Sequence, residues 1–255
     1  MITLKSAREI ALMREAGKIV AEVLAVLSEK AKAGVTTREL DEAAEAIIRR
    51  HNAVPAFKGY GGARNRPAFP ATICASINDE VVHGIPGSRV LLEGDILSID
   101  VGACRNGFFG DAAVTVPVGR ITPEAARLIK VCRGSLSRAI RAVRPGAELK
   151  DVARAVQQYV EANDCSVVRK FVGHGIGSQM HEEPNVPNYV SADCPDVVLK
   201  PGMTLAIEPM VNQGSSDVRT KTNGWTVVTE DGKLSAHFEH TVAVTREGSE
   251  VLTLL

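Results

Sequence analysis

The stretch GDILSIDVGACRNGFFGDAAVTV, residues 94–116, decides how the rest of the chain is read. Ile96, Ile99 and Val101 lead up to a turn at Arg105-Asn106-Gly107, and Phe108 to Val116 lead away from it, which predicts a β-hairpin. With Arg105-Asn106 as the loop, Asp100 stands directly opposite Asp111. With Asn106-Gly107 as the loop, the two are diagonal neighbours. Either register puts both carboxylates on one face. Like charges that face each other across a sheet repel, and burial adds a desolvation cost unless a countercharge is present. On the polar face of an edge hairpin such a pair would simply be solvated. The neighbours Ile99, Val101, Ala112 and Ala113 indicate instead a covered strand, and so a divalent cation.

Outward from the hairpin, the chain reads as two helices followed by strands, twice over. Ser6 and Glu9 form a capping box ahead of Ile10, Met13, Gly17, Val20, Leu24 and Leu27, a helix expected to end near Gly34. Thr36 with Glu39 opens a second helix, closing before Asn52 and Pro55. Thr122-Pro123-Glu124 starts a third, and a fourth follows the break at Pro145-Gly146. Strands are expected at TLAIEPMV (204–211), WTVVT (225–229) and HFEHTVAVT (237–245). Residues 39–46 echo residues 148–155, and if this is a repeat, two αβ halves enclose a central antiparallel sheet with a site at their seam.

Three further segments place a ligand-type side chain in an apolar or glycine-tight setting. They are His174 in VGHGIG, Glu208 in LAIEPM and Glu239 in FEHTV. Together with Asp100 and Asp111 they make an oxygen-rich, thiolate-free set whose four negative charges would balance two divalent cations. Such a set suits Mn(II), Fe(II) or Co(II) at least as well as Zn(II), and the expected chemistry is metal-assisted hydrolysis. Several look-alikes fail. His181-Glu182-Glu183-Pro184 has Asn185 where a zincin needs its second histidine, GHGIG lacks the dinucleotide spacing, and no G-x-S-x-G elbow is present.

Composition narrows the class. The chain has 255 residues, 30 Lys+Arg against 30 Asp+Glu, and 45% apolar residues, enough for a core without disulfides. Zero formal charge and the lack of a basic patch give no signal for nucleic-acid or membrane binding. The five cysteines lie at least 28 residues apart, which excludes CxxC motifs and argues against a disulfide framework. With no signal-peptide pattern at the N-terminus and no apolar span, a cytoplasmic protein is expected.

The segments SINDEVVHGIP (76–86), DILSIDVG with GFFGD, FVGHGIGSQMHEEPNVPNY (171–189), LAIEPM and HFEHT resemble those of type I methionine aminopeptidases, in the same order and across essentially the whole chain. The resemblance implies an α+β pita-bread fold, a pseudo-twofold αβ sandwich in one catalytic domain of residues 1–255 with halves of about 1–120 and 121–255. It implies Asp100 as ligand of one metal, Asp111 and Glu239 as bridging carboxylates, and His174 and Glu208 as ligands of the other. Glu208 would relay a proton, His181 would bond the substrate carbonyl, and His83 would lie beside the scissile nitrogen. Trp225, Tyr60 and Cys74 would line a methionine pocket, with Phe69 supplying an aromatic wall. In this chain Met180 precedes His181 where an aromatic is common, Phe57 stands about where a cysteine is common, and GGARNRPAFP (61–70) is longer than the usual loop. His237 and His240 match no catalytic role and are expected to be structural.

The activity implied is removal of the N-terminal methionine from nascent proteins with a small second residue, near the ribosome, by a monomer. A proline-specific dipeptidase of the same fold would need an additional N-terminal domain. A type II enzyme would need a helical insertion, and only 26 residues separate His181 from Glu208. A non-catalytic binding module would be expected to have lost ligands, and all five are present.

Overall fold

Side-chain caps set the helix starts. The computed structural model describes residues 1–62, 67–192 and 194–255. In its first half α1 (Ala7–Lys30) and α2 (Thr37–Arg50) precede β1 (Val54–Pro55), β2 (Ile73–Ile77), β3 (Glu80–Val82), β4 (Ile96–Arg105) and β5 (Phe108–Pro117). The second half has α3 (Pro123–Ala142), α4 (Leu149–Glu161), β6 (Ser166–Val167), β7 (Gly173–Gly175), β8 (Glu182–Val186) and β9 (Thr204–Ile207). It continues with β10 (Met210–Asn212), β11 (Val218–Thr220), β12 (Val227–Thr229), β13 (Ser235–His237), β14 (Glu239–Val244) and β15 (Ser249–Val251). The capping boxes at Ser6 and Thr36 are both formed, and Thr122 Oγ1 accepts from Ala125 N at 3.2 Å, with Pro123 at the first helical position. Helix α1 stops at Lys30 rather than near Gly34. Gly34 sits at φ +94° and its N–H is given to Leu91 O at 2.9 Å, so it belongs to the link between chain segments and not to the helix.

Among the described residues the main sheet has nine strands in the order β1-β4-β5-β14-β9-β7-β8, with β2 added to β4 and β15 to β14. Helices α1 and α2 cover one part of it, burying Ile19, Val23, Leu27, Leu40 and Ile48 against Ile73, Leu97, Ile99 and Val101. Helices α3 and α4 cover another, with Leu128, Leu136, Leu149 and Val156 against Leu205, Ile207 and Val242. Burial of these apolar side chains, each contributing about 1.5–3 kcal/mol, is the main force holding helices to sheet.

The β4–β5 hairpin takes the second of the two registers. Arg105 pairs with Phe108, leaving Asn106 (φ 52°) and Gly107 (φ 79°) as a two-residue loop of the kind that needs positive φ at both positions. Asp111 therefore faces Gly102, and Asp100 faces Ala113.

Two of the expected strands are broken. Residues 204–211 form β9 and β10, and residues 237–245 divide at Phe238 between β13 and β14. In each case the first and second pieces join different sheets. Glu208-Pro209 causes the first break, because proline has no N–H for the ladder. The expected strand over 225–229 is shorter, Val227–Thr229.

The two halves repeat, but not in the register that residues 39–46 and 148–155 indicate. Gly34 N donates to Leu91 O and Leu91 N to Val35 O; in the second half Gly146 N donates to Leu199 O and Leu199 N to Ala147 O, at 2.8–2.9 Å throughout. Thr36 bridges Val90 as Glu148 bridges Val198. Thr36 thus corresponds to Glu148, one helical turn from the sequence echo, a slip that a 3.6-residue period hides. The same bonds align VLLEGDILSID (90–100) with VLKPGMTLAIE (198–208), so Asp100 and Glu208 are counterparts.

Close backbone contact seats α1. A Cβ on Gly110 of β5 would lie 2.7 Å from Gly17 N, and one on Gly17 would lie 2.2 Å from Leu252 O. Gly17→Ala should lower stability by roughly 1–3 kcal/mol despite alanine's better helix propensity, because the overlap is with main chain that cannot rotate away. Urea unfolding measures this; a midpoint equal to or above that of the native sequence would contradict the packing described.

Candidate metal centre

The strand order gathers the acidic residues. Asp100 lies on β4, Asp111 on β5, Glu239 on β14, Glu208 just after β9 and His174 on β7, five strands that are consecutive in the sheet. Cross-strand partners share a face, and Asp100 pairs with Ala113, which pairs with Glu239. On the other side Thr241 pairs with Ala206 and Ala206 with His174. Period two then adds Asp111 and Glu208 to the same face. Between these polar residues stand the small Ala113 and Ala206, and Gly102, whose missing side chain makes room for Ala56, Phe57 and Met180.

Ligand atoms of Asp111, His174 and Glu239 lie within 4.8 Å of one another. His174 Nε2 is 3.9 Å from Asp111 Oδ2 and 3.7 Å from Glu208 Oε1. Its Nδ1 is 2.8 Å from Gly175 O, an acceptor only, so the proton sits on Nδ1 and the Nε2 lone pair faces the carboxylates. The backbone of Asp111 is held on both sides by Thr241 Oγ1, which accepts from Asp111 N at 3.0 Å and donates to Asp111 O at 2.8 Å.

Among the described residues the cluster has no lysine or arginine partner. Burial, then the charges of Glu239 and Asp100, push the Asp111 carboxyl well above its usual range. Burial first, and neighbouring carboxylates second, do the same to Glu208 and Glu239. Burial lifts Asp100 to about 7 against the opposing hydrogen bonds from Cys74 and Asp111. His174 is held down at about 3 by burial and the adjacent His181. Asp100 Oδ1, Asp111 Oδ1 and Glu239 Oε1 are buried with no hydrogen-bond partner among the described residues. Orphaned anionic oxygens that share one face with an imidazole lone pair fit a divalent cation. The Cys74 thiol is pushed up by burial and by Asp100, so it stays protonated and leaves the donor set oxygen and nitrogen.

The remaining expected site residues surround a cavity of about 230 Å³ above these groups. Phe69 (3% exposed) meets Trp225 edge-on at 5.2 Å, and Trp225 Nε1 donates to Pro67 O at 2.9 Å. Cys74 completes that apolar side, with Phe57 and Met180 also on the wall. Of the long loop 61–70, residues 63–66 lie outside the described residues. His83 adopts φ 59° and packs edge-on against Phe171 and Trp225. His181 stands 4.1 Å from the His174 ring, and Tyr60 Oη lies 2.6 Å from His181 Nδ1. Tyr60, read from sequence only as a pocket wall, is therefore also the partner of His181.

His237 was expected to be structural, yet it lines the same centre, with Nε2 3.8 Å from Glu208 Oε2. Its position two residues before Glu239 was the available signal, hidden because the intervening Phe238 breaks the strand and with it the period-two reading. His240 instead gives Nδ1 to a contact with Thr253 Oγ1 at 2.9 Å, consistent with a structural place.

The model of metallopeptidase family M24 matches residues 11–246. Methionine aminopeptidase 1 of Bacillus subtilis is 50% identical over 253 residues, covering 99% of both chains, and the methionine aminopeptidase of Clostridium acetobutylicum is 52% identical over 100% of this chain and 99% of its own. The crystal structure of methionine aminopeptidase from Thermotoga maritima superposes with a TM-score of 0.95 at 44% identity, with 100% of each chain covered. The α+β architecture is accordingly the pita-bread fold, and the chain belongs to metallopeptidase family M24, its likeness over the whole length being to the methionine aminopeptidases.

Proposed function

We propose that this enzyme removes the N-terminal methionine from polypeptides whose second residue is small. The observation that carries the reading is the placement of five ligand side chains on one sheet face directly beneath an apolar cavity of about 230 Å³, a size suited to one unbranched side chain. Asp111 and Glu239 would bridge two cations, Asp100 would complete one site, and His174 with Glu208 the other. Mn(II), Fe(II), Co(II) or Zn(II) held there supplies Lewis-acid activation, lowering the pKa of water and polarising a carbonyl.

The chain's own residues do the rest. Phe69, Trp225, Cys74 and Met180 enclose the methionine side chain, whose thioether packs well against aromatic edges. Burial lowers the His181 pKa, so its ring is neutral at pH 7. With the Tyr60 hydroxyl donating to Nδ1, the ring proton resides on Nε2, where it can donate to the substrate carbonyl oxygen as negative charge develops. His83 is assigned to the scissile nitrogen and Glu208 to relaying the proton from water to the leaving amine. Nascent chains in the cytoplasm, close to the ribosome, are the proposed substrates, and a monomer is the proposed working form. Among the described residues no helix is long and apolar enough to cross a membrane.

Removing metal should abolish turnover, with Mn(II), Co(II) or Fe(II) restoring it, and Asp111→Asn should lose metal and activity together. In the metal-free protein the raised carboxyls keep protons that the unfolded chain has released above about pH 4. The unfolded state then binds fewer protons, so stability falls as pH rises through the window that ends near 7 for Asp100. A cation should therefore raise the melting temperature more at pH 8 than at pH 5. Full activity in metal-free protein, or apo stability that rises over this range, would refute the assignment.

His181→Ala should lower kcat by about a hundredfold or more with metal content unchanged, and Tyr60→Phe by a smaller factor, because it loses only the tautomer control. Steady-state kinetics with metal analysis check this, and an unchanged kcat in His181→Ala would remove that residue from the mechanism.

Peptides beginning Met-Ala, Met-Gly or Met-Ser should be cut well, Met-Leu and Met-Lys poorly, and Leu-Ala or Lys-Ala hardly at all. Norleucine should retain partial activity, since one lost apolar contact is worth only about 1–3 kcal/mol. The measurement is kcat/KM across this set; a preference for Xaa-Pro peptides without methionine would favour a dipeptidase instead.

A further inference from the structure

His237 is a buried polar side chain that the proposed reaction leaves without a task. It is 2% exposed, and its Nε2 has no hydrogen-bond partner among the described residues. Its main chain is clamped by one hydroxyl: His237 N donates to Thr115 Oγ1 at 2.9 Å, and His237 O accepts from the same group at 2.8 Å. The sheet, not a side-chain bond, therefore decides where the ring stands. Nε2 is 3.8 Å from Glu208 Oε2, while the other oxygen of that carboxylate, Oε1, is 3.7 Å from His174 Nε2. One carboxylate thus stands between two imidazoles. His174 has its Nδ1 bonded to a carbonyl and turns a lone pair toward Glu208. Among the described residues no such bond constrains the His237 ring, whose proton can sit on Nε2.

We propose that His237 is a positioning residue for Glu208: its Nε2–H donates to Glu208 Oε2 and so directs Oε1 to the cation shared with His174. The proposal rests on the metal-centre reading above and deepens it. A carboxylate has two oxygens that compete for a cation, and a donor fixed on one of them selects the other and limits rotation of the group. When Glu208 is an anion holding a cation, Oε2 is a strong acceptor, and closing the present gap makes a charge-assisted hydrogen bond in place of a buried orphan nitrogen. The two imidazoles then act differently on one side chain, His174 as ligand and His237 as donor. Glu208 also carries the proposed proton relay, so the same bond keeps the relaying carboxylate in place.

Anaerobic isothermal titration of metal-free protein with Co(II) tests this by counting sites and measuring the Kd of each, independently of turnover. Glu208→Gln identifies the site that depends on Glu208. His237→Gln retains an amide Nε2 that can reach Glu208 and donate; His237→Leu keeps similar bulk and removes the donor. The glutamine variant should bind Co(II) at the Glu208-dependent site within about threefold of the native protein, whereas leucine should weaken it by about 10- to 100-fold, the range for losing an outer hydrogen bond to a metal ligand. Leucine equal to native, or glutamine as weak as leucine, overturns the proposal; the latter would mean that the ring packs or coordinates rather than donates. Should circular dichroism show the leucine variant unfolded, His237→Asn replaces it, its amide being too short to reach Glu208, and binding equal to that of glutamine overturns the proposal. Native protein that binds no Co(II) refutes the metal-centre reading itself, a result distinct from any difference among the variants.

Discussion

Mutual repulsion among four carboxylates on one face of a sheet is the constraint on which this molecule is organised. Asp100, Asp111, Glu208 and Glu239 come from consecutive strands; burial pushes all four carboxyls upward, neighbouring carboxylates add to this for Asp111, Glu208 and Glu239, and Asp100, Asp111 and Glu239 each keep an orphaned oxygen among the described residues. Among the described residues no lysine or arginine forms an ion pair with them to offset the charge. In the absence of a cation the cluster is held together against its own electrostatics by the hydrophobic cores on which the helices sit. That is why the strands carrying it are flanked by fully buried Leu97, Ile99, Leu205 and Ile207. Neutralising one member relieves the repulsion on the others, so the charge of each carboxyl depends on that of its neighbours.

Around that centre, small hydrogen bonds decide chemistry by deciding protons. His174 Nδ1 against Gly175 O turns the opposite nitrogen into a donor of electrons, and in the proposed mechanism Tyr60 against His181 Nδ1 would turn its opposite nitrogen into a donor of a proton. Two rings 4.1 Å apart would thereby receive different roles from single contacts behind them. Phe69 on Trp225, Cys74, Phe57 and Met180 form the apolar wall of the cavity, and among its described lining residues the carboxylates are those of the acidic cluster.

The twofold character of the fold explains how the centre is assembled. Matching hydrogen bonds join Gly34 to Leu91 and Gly146 to Leu199, each delivering a following strand with an acid three residues past a buried leucine, Asp100 after Leu97 in one half and Glu208 after Leu205 in the other. The halves then diverge, because Glu208 is followed by Pro209 and its strand breaks there, whereas β4 runs on to the hairpin. The broken strand lets the Glu208 main-chain oxygen accept from Asn188 Nδ2 at 3.1 Å, so the acid is held by a side chain where the ladder ends.

Much of this was legible in the residues. Capping boxes at Ser6 and Thr36, the alternation of Asp100 and Asp111 with apolar neighbours, and the isolated polar residues His174, Glu208 and Glu239 mark helices, a hairpin and a ligand set, because propensity, capping and period are local properties. The motif resemblance added family and fold. What local pattern could not determine was which register of the hairpin forms, where two long apolar runs break, which turn of α4 answers to which turn of α2, and that His237 and Tyr60 reach Glu208 and His181. A helix slipped by one turn, or a hairpin shifted by one loop residue, keeps the same apolar pattern, so the sequence does not distinguish them. Only the bonds between distant segments, Gly146 to Leu199, Thr115 to His237 and Asp111 to Thr241, select one arrangement, and those bonds exist only when the whole sheet is assembled.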